Sequence, residues 1–343
     1  FLSYLPLSHI AERQLVGAAS VVFNSEITFA ESMATLPRDM KETVPSFFFG
    51  PPRVWEQLQQ LVLAVFGGQE ALDAALAEDE GAIGARVQEL LGFQESDYLL
   101  TAAAPTPPAL IKWFGLFGVT VMEGFGQTEA MGLIANSPKD RRIGSLGKVL
   151  NGVEARITEE GELVIKSDGL SPGYYNMPEK TAETFVDGWI HTGDKARIDE
   201  DGFVFLTGRV KDYFKTIQGK FVAPVPIEAD FAESPWTEQQ CLLGRGYSKT
   251  VMACVLVASA AGADKSKIEA DLRATVEKIN SDIDKHARIG AIIISTDSWT
   301  IESGILTPTL KIKRESVEAR FGERAQELAL ESATTRQLMV EWQ

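Results

Sequence analysis

At Gly144 the chain changes texture, and this change limits the folds open to it. Upstream, strand-like and helical stretches alternate. An apolar run at 45–49 is broken by Pro51 and Pro52, which open a helix over 53–66. A helical stretch rich in alanine and glutamate covers 69–91, followed by a strand at 98–104, a helix at 109–117 and a short strand at 119–122. That alternation predicts an α/β sheet with its ligand at the C-terminal ends of the strands. Downstream, ARITEEGELVIKS and ARIDEDGFVFLTGRV are short strands cut by Glu-Gly and Asp-Gly, the dipeptides of β-hairpin turns. Past Pro226 the pattern turns mixed, with strands at 238–243, 250–258 and 289–295 and helices at 265–286 and 313–329. The fold class read from this is α/β. A partial α/β-sheet core over 1–143 and a β-rich subdomain over 144–210 form the larger N-terminal domain, and a small α+β C-terminal domain covers 211–343.

Composition narrows the function classes. Of 343 residues, 48 are acidic and 33 basic, a net charge of −15, which argues against a broad nucleic-acid footprint while leaving room for a small basic pocket. The two cysteines, Cys241 and Cys254, sit in apolar strand-like segments and read as small buried hydrophobes. Three histidines without Cys/His spacing do not make a structural zinc site. No apolar run reaches the ~18 residues needed to span a bilayer, and a cytoplasmic protein is the default expectation. Phe1 opens directly on the strand-like FLSYLPL, which reads as an interior position of a longer chain.

Three motifs carry chemistry. GFGQTEA at 124–130 follows a strand and is expected on a loop at the sheet edge. There Gly124 and Gly126 would let backbone approach a ligand, Phe125 offers a face to a base, Thr128 a hydroxyl to a phosphate oxygen, and Glu129 a hard carboxylate for Mg²⁺. The plain alternative is a glycine turn with a solvated tip. In WIHTGDKARIDEDGFVFLTGRVKDYFK, Asp194 beside Gly193 at a strand end could take both hydroxyls of a ribose, and Arg209 could meet ribose or phosphate. Otherwise both are charges decorating a β-meander. In GILTPTLKIKRE at 304–315, Lys311 stands between apolar residues after a proline-containing loop, placed either to aim an ammonium into a cleft or to sit in solvent at a helix start.

Together, in this order and spacing, these blocks resemble the adenylate-forming superfamily of acyl-CoA synthetases, luciferases and peptide-synthetase adenylation domains. LPLSHIAER, NSEITFAESMATLPRDMKETVPSFFFGPPRVWEQL and GILTPTLKIKRE look like its long-chain fatty acyl-CoA synthetase branch. The resemblance implies an AMP-forming long-chain fatty acid–CoA ligase, in which a carboxylate attacks the α-phosphate of ATP and the CoA thiol then displaces AMP. It implies ATP/AMP, Mg²⁺ and CoA as cofactors and substrates alongside a fatty acid, with no nucleic-acid partner; peripheral membrane contact is compatible with it. By motif position, Gly124, Phe125, Gly126 and Gln127 resemble the adenine-side wall, Thr128 and Glu129 the phosphate and Mg²⁺ pair, and Asp194 with Arg209 the ribose pair. Lys311 resembles the adenylation lysine, His9 the histidine beside the acyl carboxylate, and Lys211 the hinge. Lys215 and Gly219 resemble the positions that serve the thioester step.

Two departures from the family pattern matter. The glycine-rich phosphate loop is absent and is expected upstream of Phe1, so this chain alone is expected to be a poor enzyme. TAAAP at 101–105 stands where a glycine-rich segment is usual. An acyl-AMP ligase loading a carrier protein, and a non-catalytic nucleotide- or lipid-binding fragment, are the competing readings.

Overall fold

The computed structural model describes residues 1–308 and 310–343. The chain forms two compact units, Phe1–Leu206 and Thr207–Gln343. Among the described residues no helix is long and apolar enough to cross a membrane.

The first unit opens on a two-stranded parallel pair, β1 (Leu2–Ser3) with β2 (Thr28–Phe29). Between them a short helix, Ile10–Glu12, capped by His9, passes into a π-helix at Arg13–Ala19. The five-stranded sheet that follows runs in chain order through β3 (Phe47–Gly50), β4 (Tyr98–Thr101), β5 (Val121–Gln127), β6 (Ala130–Ala135) and β7 (Lys148–Val149). Its first three strands are parallel, joined by helical crossovers; β6 and β7 are antiparallel additions. The long helical stretch over 69–91 is two helices, Gln69–Glu78 and Glu80–Leu91. Asp79 leaves helical geometry at φ −154° and caps the second through Ala82 N at 2.9 Å.

The aromatic run before Pro51 is core. Phe48 and Trp55 are fully buried, their rings edge to face at 5.5 Å, and Trp55 Nε1 donates to the Gly50 carbonyl at 3.0 Å. The segment over 101–105 follows β4, and its Ala103 adopts φ +75°. Glycine takes that conformation freely, whereas alanine pays ~1–2 kcal/mol, partly returned as lower unfolded-state entropy. Ala103→Gly should therefore raise the free energy of unfolding by about 0.5–1 kcal/mol in urea titration; a loss of stability would mean that the left-handed turn is not strained.

The second sheet contains β8 (Val153–Ile157), β9 (Glu162–Ser167), β10 (Phe185–Val186), β11 (Trp189–Ile198) and β12 (Val204–Arg209), in the order β10-β11-β9-β8 with β12 also on β11; the first unit ends within β12, at Leu206. The Glu-Gly turn joins β8 to β9 in the register expected of a hairpin, Val153 opposite Ser167.

The second unit holds a small hairpin, β13 (Phe214–Lys215) with β14 (Phe221–Val222), and a four-stranded sheet. That sheet runs β15 (Thr237–Leu243), β16 (Thr250–Leu256), β17 (Ile289–Ser295) and β18 (Met339–Trp342), with helices Lys265–Asp282 and Arg314–Thr335. The hairpin's two strands are joined by the turn over 216–219. Cys241 and Cys254 are both unbridged and buried, and burial pushes the Cys254 thiol up to about 12, as inert core thiols behave. The class throughout is α/β.

Candidate nucleotide site

GFGQTEA is not a loop. Gly124–Gln127 continue β5, Thr128 and Glu129 form a two-residue tip, and the chain returns along β6 with Gln127 opposite Ala130. The glycines serve strand packing. A Cβ at Gly126 would come within 2.6 Å of the Gly132 nitrogen, and one at Gly124 within 3.2 Å of Leu100 Cδ1. Phe125 is half-buried and packs with Ala130, Ile134, Leu163, Ile165 and Ile190, so its ring locks the hairpin onto the second sheet. Thr128 at the tip is exposed. Glu129 is tied down twice: its carbonyl accepts from Ser171 N at 2.8 Å, and Oε1 accepts from the Tyr174 hydroxyl at 2.5 Å. Burial and this bond to Glu129 raise the Tyr174 phenol above its usual value.

Asp194 lies not at a strand end but on a bulge inside β11, where register shifts between His191 and Lys195. Gly193 makes the bulge at φ +72°. Glu162 of β9 braces it with both oxygens, one accepting from Gly193 N at 2.8 Å and the other 2.8 Å from His191 Nδ1. Thr192 Oγ1 donates to the Leu163 carbonyl at 2.7 Å and accepts from Asp194 N at 3.1 Å. Asp194 is only 5% exposed, and its backbone N–H is held within this braced bulge.

The structure adds a carboxyl that the motifs do not announce. Glu123, immediately before GFGQTEA, is 8% exposed, and its Oε2 accepts from Gly144 N at 2.8 Å. Burial pushes it up to about 8, against that backbone bond, so it is largely protonated at neutral pH. His9 is the cap of Ile10–Glu12, its Nδ1 accepting from Ala11 N at 3.3 Å.

In the second unit Arg209 is exposed at the end of β12, and its carbonyl accepts from Asp212 N at 3.0 Å, closing a turn that carries exposed Lys211. Lys215 lies exposed in β13 with its ammonium 4.8 Å from the Phe221 ring centre. Gly219 turns that hairpin at φ +73°. Lys311 is half-buried in a tight hairpin rather than at a helix start: Thr307 N donates to its carbonyl at 2.8 Å, and its own N–H donates to Thr307 Oγ1 at 3.0 Å. Thr309 of that motif lies outside the described residues.

Among the described residues no cluster of three or more His, Cys, Asp or Glu side chains could hold a metal. Glu129 with the Thr128 hydroxyl fits Mg²⁺ as phosphate-bound Mg²⁺ is usually met, with one carboxylate and the remaining places taken by water and phosphate.

Comparison with known proteins matches residues 1–175 to the AMP-binding enzyme model, half of the chain, and 211–329 to the AMP-binding enzyme C-terminal domain. The chain belongs to the AMP-binding enzyme family. Its relatives in this family include the long-chain-fatty-acid–CoA ligase FadD15 of Mycobacterium bovis, 28% identical over 93% of the chain and 60% of the relative. Another is the long-chain-fatty-acid–CoA ligase ACSBG1 of Bos taurus, 30% identical over 71% of the chain and 38% of the relative. Among solved structures, the A-PCP didomain of carboxylic acid reductase from Segniliparus rugosus in complex with AMP superposes with a TM-score of 0.79. It is 26% identical, over 97% of the chain and 48% of the didomain. The chain thus spans 60% or less of the length of each of these three proteins.

Proposed function

We propose that this AMP-binding chain works in an AMP-forming acid–thiol ligase that activates a long-chain fatty acid as its acyl-adenylate and passes the acyl group to CoA. The observation that carries the reading is the shared platform of the first unit. The tip residues Thr128 and Glu129 stand on a hairpin that Phe125 locks to β9 and β11, the strands that also build the Asp194 bulge. A buried carboxylate on a braced bulge suits the two hydroxyls of a ribose, and Thr128 suits a phosphate oxygen. Glu129 would hold Mg²⁺, which supplies charge neutralisation at the phosphates. We assign Arg209 to the ribose or phosphate, Lys311 to the α-phosphate, His9 to the acyl carboxylate, Lys211 to the pivot, and Lys215 with Gly219 to the thiol route. Relatives named as fatty-acid–CoA ligases support the acid and the acceptor.

A second reading, transfer to a carrier-protein thiol, is favoured by one observation: the carboxylic acid reductase neighbour is an A-PCP didomain.

Preformed acyl-adenylate separates the readings without any need for a cradle for the β- and γ-phosphates. Incubated with a long-chain acyl-AMP and either CoA or phosphopantetheinylated carrier protein, the chain should yield acyl-CoA by mass spectrometry. Acylation of the carrier alone would move the assignment to the second reading, and turnover of neither would end both. Binding of AMP by calorimetry should weaken about tenfold in Asp194→Asn, the loss expected for one charge-assisted bond of ~1.5 kcal/mol; unchanged affinity would remove Asp194 from the ribose.

A further inference from the structure

Lys311 is only as useful as the hairpin that aims it, and one buried ion pair stands at the hairpin's base. Lys313 N donates to the Ile305 carbonyl at 2.8 Å and Leu306 bridges to Ile312, so the lysine loop closes directly ahead of Arg314, the first residue of the long helix. The Arg314 guanidinium turns inward. Its Nη2 donates to both oxygens of Glu228, at 2.7 and 3.0 Å, and its Nη1 to the Leu242 carbonyl at 2.7 Å. Glu228, on the helix Pro224–Phe231, also accepts from Leu242 N at 2.6 Å. Three elements therefore meet on one guanidinium: the helix before the sheet, the end of β15, and the start of the helix that follows the lysine loop.

Burial works against the arginine's charge, and the Glu228 carboxylate, with Asp212 adding to it, more than restores that charge. Asp212 belongs to the turn that carries Lys211. Arg314 Nε is buried without a partner among the described residues, a cost that a purely space-filling side chain would not carry. With Nη2 on the Glu228 carboxylate and Nη1 on the Leu242 carbonyl, the planar guanidinium ties two elements in one fixed orientation, which the point charge of a lysine or an apolar side chain does not do.

We propose that Glu228 and Arg314 are a positioning pair that fixes the Lys311 hairpin against the sheet of the second unit. The proposal rests on the reading of Lys311 as the adenylation lysine for its purpose, but not for its test. A lysine three residues ahead of a rigid anchor keeps its ammonium within the roughly 1 Å tolerance that transfer chemistry demands.

The test uses hydrogen exchange and amine labelling of the full chain, with no nucleotide, acid or thiol present. In Arg314→Met, and in the paired Glu228→Leu/Arg314→Met, the amides of Thr307, Lys311 and Lys313 should exchange at least tenfold faster, and the Lys311 acylation rate by an amine-reactive ester should change at least threefold. Amides of β16 and β17 should stay within twofold of the parent. The paired variant removes both charges together, which buried pairs tolerate well, so it carries the test if the single variant does not fold. Unchanged exchange in the hairpin overturns the proposal. So does a rise shared equally by β16 and β17, because the pair would then serve stability alone. Since no substrate enters these measurements, the proposal can fail while the ligase reading stands, and the reverse.

Discussion

Gly147→Ala should cost the first unit about 4 kcal/mol or more of its stability. At this position the chain crosses the end of β6 so closely that an added Cβ would lie 1.9 Å from the Ala135 carbonyl carbon and 2.1 Å from Asn136 N. Both are backbone atoms and cannot swing aside as a side-chain tip could. The residue also stands at φ +96°, which alanine reaches only with strain. It is tethered on both sides as well: its N–H donates to Ser145 Oγ at 3.2 Å, and its carbonyl accepts from Val204 N at 2.9 Å. Strain and clash together account for that loss, a large share of the roughly 5–15 kcal/mol that a domain of ordinary stability possesses. Gly152→Ala is the control, since Gly152 has φ +79° but open space around its Cβ. It should cost only about 1 kcal/mol. Calorimetric melts of the two variants decide the matter: equal losses would show that the crossing relaxes and that the contact carries nothing.

The crossing matters for function because it seats the first sheet on the β-rich sheet. Leu146 N donates to the Val204 carbonyl at 2.8 Å, Asn136 Nδ2 to the Ser145 carbonyl at 2.7 Å, and Arg142 pairs with Asp199 and Asp201. These bonds hold the hairpin bearing Thr128 and Glu129 in place over β9 and β11. A variant that loosened the crossing would misplace the candidate phosphate and ribose groups together.

Period and turn chemistry made much of this architecture legible. The Glu-Gly turn between β8 and β9, the crossover helices of the first sheet and the strands of the second unit follow from local patterns that the tertiary structure did not override. The failures have local causes. GFGQTEA looks like a loop because three of its features (two glycines and a polar tip) are loop signals, yet the glycines are demanded by Gly132 and Leu100 on neighbouring strands. The bulge at Gly193 looks like a strand end because a register shift is set by the partner strand, here by Glu162, and not by the residues that bulge. The break at Asp79 lies in a stretch whose helix propensity runs high on both sides, and only the capping bond to Ala82 N marks it. The strand Met339–Trp342 follows a left-handed turn at Arg336, a residue with no turn signature. Lys311 was read from its neighbours, and its hairpin was not, because Thr307 closes that loop from four residues away through its hydroxyl.

Glu123→Gln should stabilise the protein, and by an amount that grows with pH. The carboxyl ordinarily ionises near 4.5; in the folded chain burial carries it up to about 8, with Gly144 N the one hydrogen bond opposing the rise. Below pH 4.5 both folded and unfolded chains hold the proton and the group is neutral in its effect. Between 4.5 and 8 the unfolded chain gives up its proton while the folded chain keeps it, so stability falls steadily as pH rises; past 8 both are ionised and the loss levels off. A shift of this size corresponds to a few kcal/mol at ~1.36 kcal/mol per unit. Glutamine has the same shape, can still accept from Gly144 N, and never ionises. The variant should match the parent near pH 4.5 and exceed it by about 2–4 kcal/mol at pH 8 in denaturant titrations. A gain that is the same at both pH values would mean that the carboxyl is not the titrating group. The location gives this cost a functional sense. Glu123 is the residue on which the β5–β6 hairpin of the candidate site is rooted, its carbonyl accepting from Asn136 N at 2.9 Å. A carboxyl kept neutral there fills the root with a polar group while adding no negative charge beside a platform suited to phosphate. Asp194, on the bulge that Thr192 and Glu162 brace, is the acceptor proposed for the ribose on that platform.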